Sequence, residues 1–278
     1  MGQQIKEYVF EKQKVRENKY FKTITSKFND FLAGSIIPIF VVVTWQLIGQ
    51  LSFISSVFLP TPLAILETFW ELIATNKLTG HLTISIWRVL LGFVIGSSLG
   101  LVVGIIVGLS KNAEYVLNPS MQLLRMTPNL AIAPLIILWF GFGEVSKVVI
   151  IATAAFFPLY LNTFLGIRNV DSKLFDVSRV LSFSKLKTIT HLVIPSSLPS
   201  ILLGVRLSLA VSWLSLIVAE LLGSQSGVGF LINLGKQNSV TEYIFVGIII
   251  FAIFGKFIDS LVRILEKRML SWRDSYKG

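Results

Sequence analysis

Six stretches of this chain, roughly Phe31–Leu51, Leu82–Leu109, Tyr115–Phe140, Lys147–Ile167, Pro199–Leu222 and Tyr243–Leu265, are each long and apolar with few charges. About 20 apolar residues in a helix cross the hydrocarbon of a bilayer, and a segment in lipid must satisfy its backbone hydrogen bonds internally. The chain therefore reads as an all-α polytopic membrane protein with six transmembrane helices. Its bulk agrees: 53% of residues are hydrophobic, 14% are charged, and the mean hydropathy is +0.74.

The net charge of +10 invites a nucleic-acid reading, but its placement argues otherwise. Lys6, Lys12, Lys14, Arg16, Lys19, Lys22 and Lys27 crowd the first 30 residues. Lys111, Arg168, Lys173, Arg179, Lys185, Lys187, Arg263, Lys267, Arg268, Arg273 and Lys277 fall in segments on the same side of an alternating thread. Basic residues collect in cytoplasmic segments, so both termini are expected inside and no nucleic-acid partner is expected. The resulting organisation is a basic cytoplasmic arm over 1–30 and a first transmembrane helix over 31–51. An extracytoplasmic loop with a surface helix follows over 52–81, then a core over 82–265 with a cytoplasmic loop at 168–195, and a cytoplasmic tail over 266–278. The surface helix is placed on "FLPTPLAILETFWELIATNKLTG", where Leu63, Leu66, Phe69, Trp70 and Ile73 repeat with helical period.

Cysteine is absent, which excludes disulfides and thiolate metal sites, and His81 and His191 are too few for a histidine metal cluster. No G-x-x-x-x-G-K-[ST] loop is present, so the chain does not cradle nucleotide phosphates in that way.

Within the spans, Gly92, Gly96, Gly100, Gly104 and Gly108 recur every fourth residue and form one groove for a neighbouring helix. In the third span Pro128 and Pro134 follow Arg125, and a broken helix beside a solute pathway is one reading of them, a plain kink the other. Gly204, Ser208, Ser212, Ser215 and Ala219 form a small, mildly polar stripe that either packs helices or borders water. Ionisable groups inside spans are functional candidates. Arg88, Arg125, Pro128, Arg206, Ser208, Ser212, Ser215 and Glu220 are accordingly the candidates for a translocation pathway, with structural pairing of the arginines as the alternative.

The longest internal loop is the basic, serine-rich "FDVSRVLSFSKLKTITHLVIPSSLPS". Leu174, Val177 and Leu181 share a helical face in its first half, and Ser182 or Ser184 can cap a second short helix carrying Leu186, Ile189 and Val193. Two short amphipathic helices joined by a bend would make a knob, fit either to lie on the membrane or to enter a groove on a partner.

This loop resembles the "EAA" loop of ABC importer permeases: Glu-Ala-Ala, three residues, Gly, nine residues, then Ile-x-Leu-Pro. Asp176, Val177 and Ser178 take the first places, Ser182 the glycine place, and Leu192, Ile194 and Pro195 the end. "LPTP" at 59–62, "APLIILWFGFGEVSK" at 133–147, "AAFFPLYLNTFLGIRNVD" at 154–171, "GVRLSLAVSWLSLIVAEL" at 204–221 and "SGVGFLI" at 226–232 are similar to the subgroup carrying nitrate, sulfonates and taurine. The resemblance implies the type I importer permease fold, paired as a homodimer. Two cytoplasmic ABC ATPase subunits carrying ATP and Mg would sit below it and an extracytoplasmic solute-binding protein above, within membrane lipid. It implies no cofactor and no catalysis on this chain. It further implies that Asp176, Val177, Ser178, Arg179, Ser182, Leu192, Ile194 and Pro195 couple the ATPase to the spans. The expected solute is an organic sulfonate or related anion, with nitrate or bicarbonate, a thiamine precursor or riboflavin as alternatives. An ion-gradient-driven transporter is the reading from a different class, and it would want midplane carboxylates. Serine enters left-handed backbone reluctantly, which weighs against the family's glycine turn at Ser182.

Overall fold

The computed structural model describes residues 34–270; the arm over 1–30 and the end of the tail lie outside the described residues. Two compact units divide the chain between Ile65 and Leu66. In the first, α1 (Gly34–Gln50) is a predominantly apolar helix, and the chain returns along it. Trp45 Nε1 donates to Pro60 O at 3.0 Å, and Leu63 N to Gln46 Oε1 at 3.1 Å. Gly49 permits the return, since a Cβ there would stand 2.5 Å from Thr61 Cγ2. Thr61 Oγ1 accepts from Ala64 N at 3.2 Å and Pro62 takes the first helical position, so α2 (Pro62–Ala74) starts with a side-chain cap.

A helix is thus present where the apolar period predicts one. Its predicted apolar residues Leu63, Leu66 and Trp70 are exposed, while Ile65 and Leu72, which the period did not single out, are buried. A left-handed residue, Asn76 (φ 55°), turns the chain into the next helix.

The second unit is built on α3 (Lys77–Leu109), α6 (Glu144–Arg168), α9 (Ile194–Gly223) and α11 (Thr241–Met269). Between them lie α4 (Lys111–Met126), α5 (Asn129–Phe140), α7 (Ser172–Val180), α8 (Lys185–Thr188) and α10 (Val228–Asn238). Among the described residues four helices are long and apolar enough to cross a bilayer, and a fifth if α4 and α5 form one broken span. At 33 residues α3 is about 50 Å long, more than the hydrocarbon requires, and it begins at Lys77 rather than Leu82.

Lipid tails are as apolar as leucine, so helices in a membrane associate through close contact rather than through escape from water. The glycine row of α3 lies against α6. A Cβ at Gly92 would come within 2.6 Å of Ile151, one at Gly96 would overlap the Ala152 backbone, and one at Gly104 would stand 2.8 Å from Thr163 Cβ. On the other side of α6, Gly204 of α9 meets Asn162 and Leu159, and Ser208 Oγ donates to Ala155 O. Trp213 fixes α9 to α11, its Nε1 donating to Phe251 O at 3.0 Å. Ala133, Ile136 and Ile137 of α5 close a core cluster with Ile150 and Ala219.

Two proline expectations need correction. In the third span the break falls at Pro128, where α4 and α5 meet at 102°, whereas Pro134 is carried inside α5. The fifth span does not begin at Pro199. α8 runs through one π-helical turn, Ile189–Val193, directly into α9 with Pro195 in its first turn and Pro199 inside. The Ile194 N–H reaches back to Ile189 O, a five-residue step that re-registers the ladder just before Pro195, which has no N–H to give.

Candidate functional site

At one end of the second unit the loop between α6 and α9 folds into the expected knob. Asp171 caps α7, its carboxylate accepting from Lys173 N at 2.9 Å. The helix ends in a Schellman turn, with Phe183 N donating to Ser178 O at 2.9 Å and Ser182 N to Arg179 O at 3.0 Å. Ser182 itself sits at φ 51°. The left-handed turn that the serine weighed against is therefore made, because two backbone bonds hold it. Ser184 then caps α8, accepting from Lys187 N at 3.3 Å.

Of the sequence-predicted loop residues, Ser178 is buried and bonded to Phe175 O, while Asp176 and Arg179 are exposed and paired with each other at 3.1 Å. Leu192 is half-buried, and Ile194 and Pro195 are exposed at the base of α9. Val177, Val180, Leu181 and Leu186 stand exposed on the knob, Val180 by 85%. Four large apolar side chains on a short polar loop form a surface suited to burial against a partner.

At the opposite end the ends of α3, α6 and α9 and the start of α10 converge on a buried polar hub. Arg88 is 1% exposed. Its Nη1 donates to Glu220 Oε1 at 2.8 Å and to Ser226 O at 2.7 Å, and its Nε and Nη2 fork onto Glu144 at 2.7 and 2.6 Å. Glu220, wholly buried, also accepts from Ser85 Oγ at 2.8 Å and Gly229 N at 2.7 Å. Lys147 Nζ reaches Glu144 Oε1 at 3.0 Å, so two cations meet two carboxylates. His81 Nδ1 accepts from Gly227 N at 3.1 Å. Gly227 (φ 110°) is obligatory on two counts, since a Cβ there would overlap the Glu220 carboxylate.

The other pathway candidates separate by environment. Arg206 of α9 donates to Asp259 of α11 at 2.9 Å, and Arg263 shares that carboxylate at 3.1 Å. Ser208, Ser212 and Ser215 are buried, and Ser212 Oγ donates to Ser208 O at 2.7 Å. Arg125 and Pro128 are exposed at the break between α4 and α5. No group of three or more His, Cys, Asp or Glu side chains able to hold a metal occurs among the described residues.

Known proteins give this arrangement its context. The family model described as "Binding-protein-dependent transport system inner membrane component" matches residues 96–271, more than half of the chain. The chain belongs to this family. The permease is similar to the aliphatic sulfonates transport permease protein SsuC of Bacillus subtilis, at 54% identity over 89% of this chain and 90% of that one. The taurine transport system permease protein TauC of Escherichia coli is 32% identical over 82% of this chain and 85% of its own length. A solved amino acid ABC transporter matches 72% of the permease and 98% of its own chain with a TM-score of 0.62 at 18% identity, a likeness of fold alone. The permease is thus a multi-pass membrane subunit of an ABC importer, a transport component rather than an enzyme.

Sequence reasoning located the knob of the permease but not the composition of its hub. Arg88 and Glu220 stood out as ions in apolar runs. Ser85, His81, Glu144, Lys147, Ser226 and Gly229 did not, because the hub joins residues up to 146 positions apart.

Proposed function

We propose that this permease imports organic sulfonates. The observation that carries the reading is its 54% identity, over 89% of its length, to a permease named for aliphatic sulfonates. The organisation expected from the sequence belongs to the same proposal: arm and tail inside the cell, α2 on the outer side, and the 168–195 loop on the cytoplasmic face. Two copies of the chain pair around the pathway, and a solute-binding protein delivers the anion from outside. Two ATPase subunits, which hold ATP and Mg, dock on the exposed apolar side chains of the knob, and Asp176, Val177, Ser178, Arg179, Ser182, Leu192, Ile194 and Pro195 relay their closure into α9.

The environments narrow the pathway candidates to two roles. Arg125 and Pro128, open at the α4–α5 break, border the route, and Arg125 supplies a counter-charge to a passing sulfonate. Arg88, Arg206, Ser208, Ser212, Ser215 and Glu220 hold the helices that frame it.

Uptake of labelled taurine and ethanesulfonate, with nitrate and thiamine as competitors, into proteoliposomes holding the permease, its ATPase and its binding protein tests the substrate. Saturable sulfonate uptake that nitrate does not displace is expected. No saturable sulfonate uptake, or sulfonate uptake abolished by excess nitrate, would overturn it.

A further inference from the structure

The knob does not sit flush on the spans. Between it and the ends of α3 and α6 lies a cavity of about 460 Å³, edged by the cationic side chains of Arg168, Arg179 and Lys185 and walled partly by Leu109, Phe175 and Phe183. Each charge must be accounted for. Arg168 is paired with Glu114, and Arg179 with Asp176. Neither pair exhausts its guanidinium, which carries five donors. Arg168 Nε is buried without a hydrogen-bond partner, although a buried donor left unmet is costly. No carboxylate among the described residues pairs with Lys185. The cavity therefore has one uncompensated positive charge, spare guanidinium donors at its edge and aromatic walls.

We propose that this cavity binds the phosphodiester headgroup of an anionic phospholipid. A small soluble anion would answer the charge but leave the Leu109, Phe175 and Phe183 walls unused. A lipid answers both, because its phosphate can meet Lys185 and the spare terminal guanidinium donors at the cavity edge while its glycerol and upper acyl carbons lie along the apolar side. The place fits as well: Gly108, Leu109 and Ile167 are the last turns of two membrane helices, where headgroups lie. A lipid wedged there contacts both the knob and the spans it leads into, so its presence favours the knob positions that keep the cavity open. The inference requires a membrane boundary at this end and is independent of the transported solute.

Native mass spectrometry of the purified permease tests it, with phosphatidylglycerol and phosphatidylcholine offered in equal amounts. One phosphatidylglycerol per chain should be retained in preference to phosphatidylcholine. Lys185→Gln should weaken that retention about fivefold, the loss of one basic side chain beside a headgroup, and Lys185→Arg should restore it. Lys111→Gln removes an inner-boundary charge outside the cavity and should leave retention unchanged. Retention lost equally in Lys111→Gln would mean diffuse surface charge and would overturn the site. So would absence of preference between the lipids, or displacement of phosphatidylglycerol by millimolar inorganic phosphate, which would identify a free anion as the occupant.

Discussion

Glu220 and Glu144 share one arginine but are not equivalent. Glu220 is wholly buried with three donors on its carboxylate, whereas the Glu144 side chain is 62% exposed. Removing Glu220 takes the buried counter-charge from the buried Arg88 and costs about 3 kcal/mol or more, while removing the exposed Glu144 leaves the Arg88–Glu220 pair intact and costs about 1 kcal/mol or less. Glu220→Gln should therefore lower the unfolding midpoint of the purified permease by several degrees more than Glu144→Gln does. Equal midpoints would show that the hub is wetter than its burial indicates. At Ser182 the opposite sign is expected. Glycine accepts φ 51° without the Cβ penalty, so Ser182→Gly should stabilise the knob by up to about 1 kcal/mol, read as slower proteolysis of the loop. At this scale the sequence was informative about which residues were unusual and uninformative about whom they bind. An arginine in an apolar run announces itself, but whether it serves solute or structure depends on a carboxylate more than a hundred residues away.

Among the elements, the contact of α3 with α6 was the most legible, because a four-residue glycine repeat has few uses other than a close helix approach. The fit makes a sharp prediction. At Gly96 the obstruction is the Ala152 backbone, which no rotamer change can move, so Gly96→Ala must push the helices apart. A loss of about 2 kcal/mol is expected, visible as a lower thermal midpoint, whereas Gly80→Ala, with open space at its Cβ inside the same helix, should not lower it and should stabilise by up to about 1 kcal/mol. Boundaries were less legible. Pro134 read as a break or a kink and Pro199 as the start of a span, yet both lie within helices; before Pro195 a π-turn shifts the hydrogen-bond ladder, an accommodation that depends on backbone not visible in residue type. The helix α2 was found while its buried face was not, since Leu63 and Trp70 satisfy the same apolar period by facing outward.

For the whole molecule, the loop spacing and the apolar runs carried most of the fold class, because membrane solvation leaves few alternatives to a helical bundle. The pathway was the least legible part. A single chain shows only which of its helices can frame a pathway. The knob supplies a whole-molecule prediction. Val180→Asp places a charge on its most exposed apolar side chain without touching the hub or the glycine contact, so the variant should insert and fold normally yet bind the ATPase at least tenfold more weakly. Unchanged ATPase binding in a pull-down would remove the knob from the interface. The most direct test of the account is sulfonate uptake by the reconstituted complex, measured together with ATP hydrolysis, for the wild-type chain and for Asp176→Lys. Wild type should accumulate sulfonate only with ATP, unaffected by ionophore, while Asp176→Lys should lose most uptake and most sulfonate-stimulated hydrolysis. Uptake that persists without ATP and collapses with an ionophore, or full coupling in Asp176→Lys, would contradict it.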